Sequence, residues 1–174
     1  MTLPVFVIFL LFSTEPPQKA TLLSVLIIGG IFVPVGLRTL VGVRSGKYTN
    51  LDVSDRVQRQ RWFMVTTVLL LIVTAIIWIT EQNWSLRLGM VCAFLLLLIS
   101  QLVNTRIKAS MHLAFHVYLS LLVLHMNLIA GVCFLLFAPL LAWSRLYLKR
   151  HIAKEVVVGM ALGCLFGFAF WIIF

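Results

Sequence analysis

Residues 128–174 read LIAGVCFLLFAPLLAWSRLYLKRHIAKEVVVGMALGCLFGFAFWIIF. Two apolar runs, Leu128 to Trp143 and Val156 to Phe174, are parted by the strongly basic stretch SRLYLKRHIAKE. The bilayer core takes about 20 apolar residues as helix, so each run suits a helix that crosses a membrane. The same pattern recurs upstream in Ala20 to Val43, Phe63 to Thr80, Leu86 to Val103 and His112 to His125. Leu3 to Phe12 is apolar but too short to span alone, and suits a tilted, partial or re-entrant helix. The predicted fold is an all-α polytopic transmembrane helical bundle, six spans plus a short or partial N-terminal helix, with residues 1–174 forming a single domain.

Composition excludes a soluble enzyme. The 174 residues are 62% hydrophobic and 11% charged, and the formal net charge is +9. So strong a positive balance on so few ionisable groups points to anionic partners: lipid headgroups, phosphates or a membrane surface. Nucleic acid is not expected, because the chain is too apolar to build a solvated basic face. Cys92, Cys133 and Cys164 each lie inside an apolar run, and their spacing gives neither a disulfide framework nor a zinc site.

Between the spans, STEPPQK (residues 13–19) is a turn by its paired prolines. Gly29, Gly30 and Pro34 interrupt the second run and predict a kink or a close helix contact. In the polar stretch 44–62, Asp52, Asp55, Arg56 and Arg59 share one helical face, which reads as an interfacial amphipathic segment or as a solvated, self-paired charged face. Gly159, Gly163 and Gly167 form a small-residue stripe for tight packing, inside the bundle or between copies, so a homodimer is compatible with it.

In the basic stretch, Glu155 follows His151 by four residues, one helical turn, so its carboxylate can hold one ring nitrogen and make the other a better base or nucleophile. Arg145, Lys149 and Arg150 surround the pair with positive charge that suits a phosphate. The plainer reading is that these bases mark a membrane interface. Upstream, Lys108, His112 and His116 share a helical face with Ser110 between the first two. A histidine entering a span is a functional candidate, whereas His116 and His125 suit hydrogen bonds within the bundle. Alternation of the spans brings the loops after the second, fourth and sixth apolar segments to one membrane face, together with 12 of the 14 basic residues. Two histidines, a carboxylate, a hydroxyl and several cations are what metal-independent phosphoryl transfer requires.

These three stretches resemble the signature motifs of the type-2 phosphatidic acid phosphatase superfamily, integral-membrane lipid phosphatases and phosphotransferases. The third motif (SR, five residues, H, three residues, D) is matched by Ser144, Arg145, His151 and Glu155, with Glu in place of Asp. The second, PSGH, is matched at Ser110 and His112, with Ala109 for Pro and Met111 for Gly. The first (K, six residues, RP) is matched at Arg59 alone, with Asp52 for Lys and Gln60 for Pro. The resemblance implies a membrane lipid phosphatase with no metal and no cofactor. It implies that His151 is the nucleophile forming a phosphohistidine, that Glu155 orients it and that His112 is the general acid. It also implies that Arg59, Ser110 and Arg145 bind phosphate; Lys108 joins them by helical facing and Arg56 by lying one turn before Arg59.

The implied substrate is a lipid phosphate or pyrophosphate whose tail stays in the bilayer. By analogy with compact family members, the expected location is a bacterial inner membrane. The basic face points to the cytoplasm by charge, while relatives often act on the outer face, and several of the bases are candidate ligands, so the side stays open. The alternative is a catalytically degenerate membrane protein that binds anionic lipid or serves as a scaffold or transporter.

Overall fold

The computed structural model describes residues 3–49, 51, 53 and 55–174, with Arg56 described by its backbone alone. Among the described residues every regular element is a helix, and the helices fall in two compact units, Leu3–Thr80 and Glu81–Phe174.

In the first unit, α1 (Leu3–Thr14) is the predicted short helix, with Phe6 and Leu11 buried. Pro17 opens α2 (Pro17–Ile27) at a position where a missing N–H costs nothing, and Glu15 pairs with Lys19 at 3.0 Å across the turn. The predicted interruption takes the form of one π-helical turn, Ile28–Phe32, leading into α3 (Val33–Arg44). Pro34 lacks an N–H and crowds the carbonyl four residues back, and a wider turn accommodates both without breaking the rod. Pro17–Arg44 thus runs as 28 continuous helical residues. Gly30 lets α4 (Arg56–Ile79) approach, since a Cβ there would stand 2.8 Å from Val73 Cγ2. Trp62 Nε1 donates to Thr39 Oγ1 at 2.9 Å and ties α4 to α3.

The amphipathic face expected over residues 52–59 is not one helical surface. Asp55 has extended backbone and caps α4, its carboxylate accepting from the Gln58 N–H at 2.9 Å. Asp competes with the backbone in helix interiors and is favoured at this cap, which is why the helix begins at Arg56. Asp52 lies outside the described residues.

The second unit comprises α5 (Trp84–Val103), α6 (Met111–Met126), α7 (Leu128–Tyr147) and α8 (Ala153–Ile173). α6 is its core helix: the whole stretch from His116 to Val123 is buried. Leu113, Val117 and Leu121 of α6 pack with Ala138 of α7 and Val156 of α8. The glycine stripe is used inside the chain. A Cβ on Gly159 would meet Ser110, one on Gly163 would meet Ala114, and one on Gly167 would meet Leu121, so α8 lies parallel to α6 in near-backbone contact. The stripe is therefore not the surface through which a second copy would dock. Tyr118 donates to the Gly89 carbonyl at 2.6 Å and fastens α6 to α5.

Among the described residues, five helices are long and apolar enough to cross a membrane: Pro17–Arg44, Val57–Ile79, Trp84–Val103, Leu128–Tyr147 and Ala153–Ile173. Large apolar residues face outward along them, as lipid contact requires; on α7 these include Leu136, Phe137 and Leu140. The remaining segment predicted to span, His112 to His125, is a 16-residue helix, about 24 Å long at the α-helical rise. It is shorter than a standard crossing because extended backbone at Ser110 and at Asn127 bounds it at its two ends.

Candidate active site

Local backbone chemistry sets the geometry of the basic stretch. α7 ends in a Schellman motif: the Lys149 N–H donates to Leu146 O at 3.0 Å and the Arg150 N–H to Arg145 O at 3.1 Å. Lys149 takes the left-handed conformation that this motif demands, φ 51°. The next amide, His151 N–H, reaches the same Arg145 carbonyl at 3.3 Å, so the backbones of Arg145 and His151 are bound together.

α8 then starts one residue after Ile152, which puts Glu155 in its first turn. Glu155 Oε2 stands 2.9 Å from His151 Nδ1 and accepts the Ile152 N–H at 3.3 Å. The second contact is the carboxylate half of a capping box, and Glu is the residue that reaches it; Ile152 has no side-chain acceptor to return the bond. The predicted pair of His151 and Glu155 is therefore made. Its side chains are only 9% and 17% exposed, which strengthens the contact. A carboxylate oxygen accepts, so Nδ1 is the donor in the tautomer that makes this bond, and Nε2 is then the basic nitrogen of the ring.

The loop between α5 and α6 is laid directly on this pair. Lys108 Nζ donates to the Arg150 carbonyl at 3.1 Å, and the Ser110 N–H donates to the Glu155 carbonyl at 3.1 Å. Ser110 is wholly buried at the N-terminus of α6, yet its hydroxyl caps nothing and has no hydrogen-bond partner. His112 follows on the exposed side of the first turn. The N-termini of α6 and α8 thus meet beside Lys108, Arg145 and Arg150, an arrangement that favours an anion on both dipole and charge grounds.

Comparisons with protein-family models, with curated proteins and with solved structures found no match. The likeness to lipid phosphatases consequently rests on the motif residues themselves.

Of the predicted site residues, the second unit brings together Lys108, Ser110, Arg145, His151 and Glu155, with His112 two residues beyond Ser110. Arg59 belongs to the first unit, where its guanidinium lies 5.6 Å from the Phe63 ring centroid. The Arg56 side chain lies outside the described residues. His116 is a bundle histidine, its Nε2 3.0 Å from the Phe134 carbonyl, and His125 stacks edge-on with Phe170, Trp171 and Phe174. Among the described residues, no three His, Cys, Asp or Glu side chains cluster to hold a metal. Two contributors escaped sequence reasoning: the Arg150 carbonyl, which has no side-chain signature, and Gly159. The glycine stripe was legible, but its partner on α6 was not.

Proposed function

We propose that this protein is a membrane lipid phosphatase that hydrolyses a phosphomonoester or pyrophosphate of a lipid through a phosphohistidine. The observation that carries the proposal is the 2.9 Å contact between His151 Nδ1 and Glu155, which assigns attack to the other ring nitrogen, Nε2. In the first step Nε2 forms a bond to phosphorus as the ester P–O bond breaks, and His112 protonates the departing lipid oxygen. In the second step water attacks the phosphohistidine, His112 takes the water's proton, and inorganic phosphate leaves with the Nε2 lone pair restored. Arg145 and Ser110 stabilise charge on the non-bridging oxygens.

The apolar exterior supports a substrate held by its tail in the bilayer. Phosphatidic acid, phosphatidylglycerol phosphate, isoprenoid pyrophosphates and phosphorylated lipid A share that chemistry, and a bacterial inner membrane holds them. The test is phosphate release from such a panel in EDTA by the purified protein and by His151→Ala. Release by the wild type alone supports the proposal. No release on any lipid from folded protein would move the reading to a binding or scaffold role.

A further inference from the structure

We propose that Lys108 is a positioning residue: its ammonium holds the peptide that carries His151, and so aims the imidazole, rather than serving as a phosphate ligand. The inference rests on the phosphatase reading for its chemistry and on geometry for its placement.

The Arg150 carbonyl that accepts from Lys108 Nζ and the His151 N–H that donates to Arg145 O belong to the same peptide group. That group is therefore held on both edges, from the α5–α6 loop at 3.1 Å and from the end of α7 at 3.3 Å. The Arg150 N–H, bound to the same Arg145 carbonyl, restrains the preceding peptide as well. Two residues beyond Lys108, the Ser110 amide grips the Glu155 carbonyl. The segment 108–110 thus touches both members of the His151/Glu155 pair, one through each of its ends.

The need for such a clasp is visible in the loop. Lys149 sits in left-handed backbone, and five residues separate Tyr147, the last residue of α7, from Ala153, the first of α8. The amides of this loop are bonded back to the end of α7, so its N–H side is held locally. A charge-assisted hydrogen bond from a half-buried lysine holds the Arg150 carbonyl side from outside the loop, and its donor comes from 42 residues away. A reacting nitrogen displaced by an ångström costs turnover while leaving ground-state binding nearly intact.

The experiment compares Lys108→Met and Lys108→Arg with wild type in the full-length protein in detergent. It reads kcat and KM on dioctanoyl phosphatidic acid, inhibition by orthovanadate, and the ¹⁵N spectrum of the His151 ring, identified by its loss in His151→Gln. We expect Lys108→Met to lower kcat by about 10- to 100-fold, with KM and vanadate inhibition little changed. Lys108→Arg, which keeps a charged donor, should recover most of the rate, and the His151 Nδ1 signal should shift or broaden in Lys108→Met alone. A loss confined to KM and vanadate inhibition would overturn the proposal and make Lys108 a phosphate ligand. If the wild type hydrolyses no lipid phosphate, the phosphatase reading fails while the ring spectrum still decides the positioning. An unchanged His151 spectrum in folded Lys108→Met would end the proposal in either case.

Discussion

Gly159 of α8 faces the backbone of Ser110 so closely that a Cβ on the glycine would stand 2.5 Å from the Ser110 carbonyl oxygen and 3.1 Å from its amide nitrogen. The lipid-phosphatase motif PSGH, which this stretch resembles, has a glycine after the serine, and here Met111 occupies that position. Close approach is supplied instead from the neighbouring helix.

Gly159→Ala should therefore separate α8 from the start of α6. Backbone atoms cannot rotate away, so the variant should lose about 1–3 kcal/mol of stability and disturb the Ser110 to Glu155 hydrogen bond. Gly36→Ala is the control: nothing lies within 4 Å of its added Cβ, and alanine is the better helix former. Unfolding midpoints in mixed detergent micelles would separate the two, and equal midpoints would refute the packing argument.

Glu155→Gln keeps the length of the side chain and an oxygen for the Ile152 N–H, so α8 should stay capped. It removes the carboxylate that orients His151 and balances charge on the ring. Turnover of a lipid phosphate should fall by about 10²- to 10⁴-fold with the melting temperature nearly unchanged. Retained turnover would exclude Glu155 from the nucleophile's support.

His112→Ala should reveal the leaving-group step. A lipid alkoxide departs poorly without a proton, whereas p-nitrophenolate departs readily. The variant should lose about 10²-fold or more on dioctanoyl phosphatidic acid and far less on p-nitrophenyl phosphate. Equal losses on both substrates would place His112 outside proton transfer to the leaving group.

Lys149→Gly relieves a residue held at φ 51° in the Schellman motif. Glycine adopts that conformation without a Cβ penalty, and the exposed lysine side chain makes no part of the proposed chemistry. A gain of about 0.5–1 kcal/mol is expected, net of the entropy that glycine adds to the unfolded chain. Loss of stability would mean that the lysine stem contributes packing that outweighs backbone strain.

What the sequence alone determined follows from local rules. Apolar runs of spanning length, broken by prolines and short basic stretches, dictated a helical membrane protein because unsatisfied backbone is too costly in lipid. The four-residue spacing put His151 and Glu155 within reach of each other, although the contact is made across the start of α8, with His151 before the helix and Glu155 in its first turn. The Asp55 cap, by contrast, was masked by charge spacing that reads equally well as one helical face.

The tertiary structure decided which surfaces meet. Helical periodicity shows that Gly159, Gly163 and Gly167 share a stripe, but only the fold shows the stripe consumed by α6 within the chain. It also places the α5–α6 loop on the α7–α8 loop, so that Lys108 finds a carbonyl 42 residues away. A backbone acceptor looks the same at every residue, and no pattern of side chains announces which one a distant lysine will reach. Such pairings arise only when packing against α6 brings the two loops to the same end of the bundle.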